Sequence, residues 1–381
     1  MTDTSAAFLS EQETLIRDSA RKVAAEIVAP TAAERDRTAA WPKEELKALA
    51  ELGFLGMLVP EAYGGSNASF VEYCLAIEEF AVADGGLATI LHVHNSLAGM
   101  LAAEGTPEQK DRYVADMVSG KTIAAGLLSE PQAGSDTAAF RTSARRDGSD
   151  FILNGTKQFI SNGSEAGIAF ALAITDKTAG KHGATLFIVD PKAPGYDVTR
   201  VEDKLGQRSA HVAQILLDNH RVPAANIVGE EGAAYKRMLR GMSEGRVAIA
   251  AVAVGVARAS LDAAVRYAKE REAYGKPIFE LQGIAFDLAD MATQVEVAHQ
   301  FVMHAARLCA AGIPCAKEAS MAKLFASEIA EKVCSDALQI HGGYGYLTDF
   351  PVERYYRDVR VTKIYEGTSH IQKVVIARSL G

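Results

Sequence analysis

The residues best placed to do chemistry lie near the C-terminus, in Ile364-Tyr365-Glu366-Gly367-Thr368-Ser369. One carboxylate stands among apolar neighbours and is followed by a glycine and two hydroxyls. A carboxylate in apolar surroundings prefers its neutral form, so its pKa rises and it becomes a competent base near neutral pH. Glycine lets a backbone approach a ligand closely, and hydroxyls add donors. Taken alone, the segment reads better as a solvated glutamate beside a turn. Other segments reverse that reading.

Leu128-Ser129-Glu130-Pro131-Gln132-Ala133-Gly134-Ser135-Asp136 leaves backbone N–H groups free to cradle an anion or a polar ring edge, although its composition also suits an ordinary turn. Asn154-Gly155-Thr156-Lys157-Gln158-Phe159-Ile160-Ser161-Asn162-Gly163 sets an aromatic ring beside a hydroxyl. Such a pair can cover a planar ring and bond one of its nitrogens; a plain hairpin is the alternative. Arg246, in Ser243-Glu244-Gly245-Arg246, is either a site arginine or a helix-end arginine paired with a surface carboxylate.

The elements that must position these residues fall into three zones: 1–120, 121–230 and 231–381. The first is helical. Ser10 and Glu13 form a capping box before a helix over 15–27 that Pro30 is expected to end. Further helices are expected over 43–52, 70–82 and 87–103, and another starts at Thr106-Pro107. The second zone breaks into short strands over 122–128, 151–153, 158–160, 168–174, 185–189 and 212–217, with Asn154-Gly155 as a hairpin turn. A small β-barrel or sandwich is expected. The third zone is helical again. Met321, Leu324, Phe325, Ile329, Val333, Ala337 and Ile340 form a core-facing stripe that stops at Gly342-Gly343, as in a helical bundle. The fold class is therefore α+β and multidomain. A doubly wound sheet is excluded by the element order, and neither a GxGxxG nor a GxxxxGK phosphate loop occurs.

With 381 residues, 48% of them hydrophobic, the chain can bury a large core. A net charge of −8 argues against nucleic acid as a main partner. Cys74, Cys309, Cys315 and Cys334 form no CxxC pair and no metal-ligand spacing with histidine, so they read as reduced thiols, and no metal site is expected. The apolar run 247–256 reads as a buried helix rather than a membrane span, and the N-terminus lacks a signal pattern, so a cytoplasmic location is expected.

Together with Arg271-Glu272-Ala273-Tyr274-Gly275-Lys276-Pro277-Ile278 and Gln339-Ile340-His341-Gly342-Gly343-Tyr344-Gly345-Tyr346, these motifs bring the chain to a family. From about Ser10 to Arg378 it resembles the acyl-CoA dehydrogenases, and most closely their short-chain, butyryl-CoA-type members. The resemblance implies an N-terminal helical domain, a central β-domain and a C-terminal four-helix bundle, in a homotetramer that binds FAD. It implies that Glu366 takes the α-proton of an acyl-CoA thioester while hydride passes to flavin N5. Arg246, Ser135, Tyr365 and Gly367 would meet substrate. Leu127, Ser129, Gly134, Ser135, Phe159, Ile160, Ser161 and Thr368 would meet FAD. Arg271, Tyr274, Gln282, Gln339, Gly342 and Gly343 would meet it from a neighbouring subunit. His370 stands where the family often has glutamine, and Phe159 and Ser161 where it often has tryptophan and threonine. A subset of the family carries its base at the position of Gly245, which cannot act as one. The segment 84–96 lacks the arginine of members that act on dicarboxylic acyl groups, and His92 and His94 there read as structural. A short straight or branched acyl group is expected, with electron-transfer flavoprotein as the electron acceptor. A flavin-dependent oxidase or monooxygenase, or a non-catalytic acyl-CoA-binding scaffold, are the alternatives.

Overall fold

The computed structural model describes residues 8–381. Helix α1 (Glu11–Val23) opens on the expected capping box: Glu13 N–H donates to Ser10 Oγ at 3.1 Å, and Ser10 N–H to Glu13 Oε2 at 2.8 Å. Pro30 does not end the run. A wider π-type turn, Ala24–Val28, puts Ala29 N–H on the Ala24 carbonyl, and α2 (Ala29–Thr38) follows directly. The shift places Pro30 in the first turn of α2, where its missing N–H needs no partner. Helices α3 (Lys43–Glu51), α4 (Phe70–Ala83), α5 (Gly85–Glu104) and α6 (Pro107–Val118) complete the zone. Asp84 caps α5 by accepting from Gly86 and Leu87 N–H at 2.8 and 3.1 Å.

The middle of the chain forms a seven-stranded sheet, β1 (Ala124–Leu127), β2 (Ser143–Asp147), β3 (Asp150–Ser161), β4 (Ile168–Ile174), β5 (Ala184–Val189), β6 (Tyr196–Val201) and β7 (Val212–Pro223). Its order is β1-β4-β2-β3-β7-β6, with β5 on β4. Asn154-Gly155 is not a turn. Residues expected to form two strands make the single strand β3, with a register shift against β7 between Leu153 and Gly155. Thr142 decides this: a Cβ on Gly155 would stand 2.3 Å from Thr142 Oγ1, so the glycine serves close strand packing. The hairpin turn lies instead between β2 and β3, at Gly148. Strands β2 and β6 escape the sequence pattern because their charged residues face solvent.

The C-terminal zone comprises α7 (Ala234–Glu270), α8 (Gln282–Ala310), α9 (Ala316–His341), α10 (Val352–Val359) and α11 (Ser369–Arg378). Helix α7 is long and apolar enough to cross a membrane, yet 83% of that stretch is buried inside the protein. It is the central helix of the core, packed on α4, α8 and α9. Alanines at 250, 251, 253 and 257 of α7, and at 319, 322, 326 and 330 of α9, bring these two helices close. The expected stripe on α9 holds at Ile329, Val333, Ala337 and Ile340, but Phe325 points outward and the buried face begins instead with Ala319, Ala322, Lys323 and Ala326. All four cysteines are free thiols.

One polar network joins all three zones. Gln207, on the β6–β7 connection, accepts from Thr89 of α5 at 2.9 Å, donates to Tyr365 Oη at 3.3 Å and bonds Asp358 of α10 through both backbone and side chain. Arg35 of α2 donates to Asp84 at 2.8 Å, and Ser209 reaches Asp84 at 3.4 Å. Burial pushes the Asp358 carboxyl up to about 7, helped by Asp84 and Asp36 and opposed by the Gln207 N–H and Arg354. The native state therefore holds this proton more tightly than the unfolded chain, and loses stability as pH rises from the ordinary carboxylate range through about 7. Asp358→Asn keeps an acceptor for Gln207 and is expected to stabilise the protein more at pH 8 than at pH 5, by on the order of 2 kcal/mol. Urea melts at the two pH values check this; an equal effect at both would disprove it.

Candidate active site

Glu366 sits between α10 and α11 in the left-handed region, at φ 51°, with Gly367 following at φ 90°. That conformation costs a non-glycine residue roughly 1–2 kcal/mol, so its surroundings must enforce it. Two buried side chains do. Lys323 Nζ donates to the Gly367 carbonyl at 2.7 Å, and Gln372 Nε2 donates to the carbonyls of Glu366 and Gly367 at 3.0 and 2.8 Å. The bend lays the Glu366 carboxylate against Gly245 of α7: a Cβ at 245 would stand 2.9 Å from Oε2 and 3.2 Å from Cδ. A side chain there would compete for the carboxylate's place.

Glu366 keeps an exposed surface on one side, while α7 and α9 crowd its carboxylate on the other. This crowding raises its pKa above the ordinary carboxylate value, and the cations Arg246 and Lys323 pull it back. Arg246 is 5% exposed; it donates to Ser320 Oγ at 3.4 Å, and its Nε has no partner among the described residues. An arginine held dry with a free donor, next to a carboxylate of raised pKa, suits a site that binds an anion or polar ligand and moves a proton. The Tyr365 hydroxyl lies 3.2 Å from Thr89 and accepts from Gln207, which ties the residue before Glu366 to α5 and to the β6–β7 connection.

The two other segments meet in the sheet. Gln158 N–H donates to the Ser129 carbonyl at 2.9 Å, which joins the 129–136 loop to β3. A second register shift, between Lys157 and Ile160, accompanies Phe159 at φ 58° and turns its ring outward, 67% exposed. Ser161 closes the strand; Ser135 and Gly134 are exposed on the loop. Leu127 and Ile160 are buried in the sheet core, so only their backbone groups can meet a ligand. The loop is anchored by a pair that the sequence reading missed. Lys157 Nζ lies 2.9 Å from Glu130 and also donates to the Leu172 carbonyl at 2.8 Å; both residues are almost wholly buried. Burial alone would raise the Glu130 carboxyl, but the Lys157 ammonium and hydrogen bonds from Thr142 and Arg141 hold it at about 2.

A third group lies apart in sequence. Arg271, Gly342 and Gly343 line one cleft of about 390 Å³ with Tyr267, His341 and Tyr344. The Arg271 guanidinium stands 5.6 Å from the Tyr344 ring centre. Tyr274 is 93% exposed, and Gln282 and Gln339 are exposed as well. Thr368 caps α11 by accepting from Ile371 N–H, and His370 is exposed in its first turn. His92 and His94 are structural, as expected: burial lowers both to about 4, and His94 accepts from Ala124 N–H at 3.1 Å while its other nitrogen meets the Met117 carbonyl at 3.0 Å. Lys323, also missed, had a readable signal, since it shares the helical phase of Ala319, Ala326 and Ala330.

Three family models match consecutive stretches: acyl-CoA dehydrogenase N-terminal domain at residues 10–121, middle domain at 125–220 and C-terminal domain at 234–381. The chain belongs to the acyl-CoA dehydrogenase family. It is 42% identical to an acyl-CoA dehydrogenase of Bacillus subtilis (strain 168), with 98% of each chain covered. It is 41% identical to an acryloyl-CoA reductase (NADH) of Anaerotignum propionicum, covering 98% of this chain and 95% of that one. The butyryl-CoA dehydrogenase structure from Megasphaera elsdenii superposes with a TM-score of 0.95 at 38% identity, with 98% of each chain covered. Members of this family are FAD-dependent flavoprotein oxidoreductases. The site fits that cofactor: Phe159 is turned out beside the Ser129 loop, and a Cβ on Gly134, Gly342 or Gly343 would meet nothing within 4 Å, so two backbone segments are open to close approach.

Gly245→Ala should leave folding stability unchanged or slightly raised, because alanine favours a helix by roughly 0.5–1 kcal/mol, while turnover falls about 10–100-fold as the carboxylate is displaced. Melting temperature and steady-state rate measured on one preparation test both halves. Lys157→Met should destabilise by about 3–5 kcal/mol by leaving Glu130 buried and unpaired, and Lys157→Met with Glu130→Gln should recover part of the loss in chemical denaturation.

Proposed function

We propose that this protein catalyses α,β-dehydrogenation of a short acyl-CoA thioester to its 2-enoyl-CoA, with Glu366 as the base. The observation that carries the assignment is the carboxylate held against Gly245 by an enforced left-handed bend, between two buried cations. Glu366 takes the α-proton. Its raised pKa makes it a stronger base than a solvated carboxylate, and Arg246 and Lys323 keep enough of it ionised. The Glu366 backbone N–H is available to the thioester carbonyl, where a donor stabilises the developing enolate. Arg246 orients the substrate side of the site. When bound, FAD supplies the acceptor for the β-hydrogen. Ser129, Gly134, Ser135, Phe159 and Ser161 would hold its ring end with the backbone of Leu127 and Ile160, and Thr368 and His370 flank it.

Arg271, Tyr274, Gln282, Gln339, Gly342 and Gly343 would serve the FAD of a neighbouring subunit in a homotetramer; the exposed aromatics Tyr274 and Tyr346 on this face support an interface. A short acyl group is supported by the named substrates of the butyryl-CoA and acryloyl-CoA relatives and by the lack of arginine in 84–96. The proposed electron acceptor is electron-transfer flavoprotein, and the proposed location is cytoplasmic.

Anaerobic bleaching of the flavin by a panel of acyl-CoA thioesters tests the proposal. Butyryl-CoA is expected to bleach fastest, Glu366→Gln to slow bleaching by at least about 10³-fold, and the wild-type rate to fall on acidification with a midpoint above the ordinary carboxylate value of about 4.3. Unimpaired bleaching by Glu366→Gln would remove the base. Rapid oxygen consumption without an added acceptor would favour an oxidase instead.

A further inference from the structure

Of the two buried side chains that hold the Glu366 turn, Lys323 is the charged one. It is wholly buried on α9, and its ammonium meets a backbone carbonyl rather than a carboxylate. Burying an ammonium is costly unless charges and hydrogen bonds compensate it, and here Glu366 and the Gly367 carbonyl are the compensating groups. Its hydrogen bond goes to the residue directly after Glu366, where the backbone is held in the left-handed region.

We propose that Lys323 is the positioning residue of Glu366: its ammonium pins the Gly367 carbonyl and so holds the base in the bend that lays its carboxylate against Gly245. This inference rests on Glu366 being the base. Gln372 secures the same turn from α11, but it is neutral, and its Oε1 has no partner among the described residues. Lys323 alone combines the mechanical hold with a charge. The charged groups around Glu366 are Arg246 from α7 and Lys323 from α9, with the Tyr365 hydroxyl turned away toward Gln207. Those around Lys323 are Glu366, Arg246 and Glu328. Burial lowers the Lys323 ammonium to about 8; Glu366 pulls it back up, and Arg246 pushes it down. Below that pH the cation favours ionised Glu366, so its removal raises the base's pKa further and moves the acid limb of the rate profile to higher pH.

Three variants separate the two roles. Lys323→Met keeps the length and loses donor and charge; Lys323→Gln keeps a donor; Lys323→Arg keeps the charge. Lys323→Met is expected to slow flavin bleaching by about 100-fold and to move the acid limb up by about one pH unit. Its crystal structure should show Glu366 relaxed out of positive φ and withdrawn from Gly245, a readout independent of turnover. Lys323→Gln should keep the bend but show the shifted limb, and Lys323→Arg should keep the wild-type limb. If Lys323→Met does not fold, the last two carry the test. Wild-type limbs in Lys323→Met and Lys323→Gln, with Glu366 still against Gly245, would overturn the proposal. With Glu366→Gln inactive, that result leaves the base assignment standing; if Glu366→Gln bleaches normally, both fall together.

Discussion

A carboxylate that takes a proton from carbon must be kept partly dry, yet still able to carry charge, and it must be aimed. For the base proposed in this protein, all three demands meet at the contact between Glu366 and Gly245. The carboxylate lies where a side chain of α7 would otherwise stand, so the helix presents bare backbone at that turn. Crowding by α7 and α9 supplies the dryness, Arg246 and Lys323 supply the countercharge, and the left-handed bend supplies the aim. The alanine-rich faces of α7 and α9 follow from the same demand, because small residues let both helices approach closely enough to bring their cations to one carboxylate.

The rest of the fold holds this contact against the sheet. His94 reaches from α5 to the start of β1, and burial keeps it neutral, so it can accept from one backbone group while meeting another. The buried Glu130–Lys157 pair fixes the loop after β1 to β3, next to the bulge that turns Phe159 outward. Each junction uses a polar group that is fully partnered, which is the condition for burying it without large loss.

Glu366 stood out as a candidate base only in company: its own neighbours fit a solvated glutamate better, and the motifs at 128–136, 154–163, 271–278 and 339–346 reversed that reading. The helices were legible from caps and periodicity, and α4 to α6 lie close to where their caps place them. What stayed hidden depends on distant contacts. Gly155 looks like a hairpin turn until Thr142 is seen against it. Pro30 looks like a helix stop until a π-type turn absorbs it. The partners of the Tyr365 hydroxyl, Thr89 and Gln207, lie 276 and 158 residues away in the chain, so its place in the network joining the zones could not be read locally. Lys323 was masked by the convention that lysines mark the solvent face of a helix, although its phase among alanines put it inside.

Gln207 lies on a connection between two strands, yet its partners come from the first and last thirds of the chain. The middle domain is thus no interchangeable cassette. A chimaera that borrowed this segment from a relative lacking the glutamine would strand Thr89 and Tyr365 without their shared partner. The segment is matched to its own flanking helices, which limits how freely recombination can reshuffle these proteins.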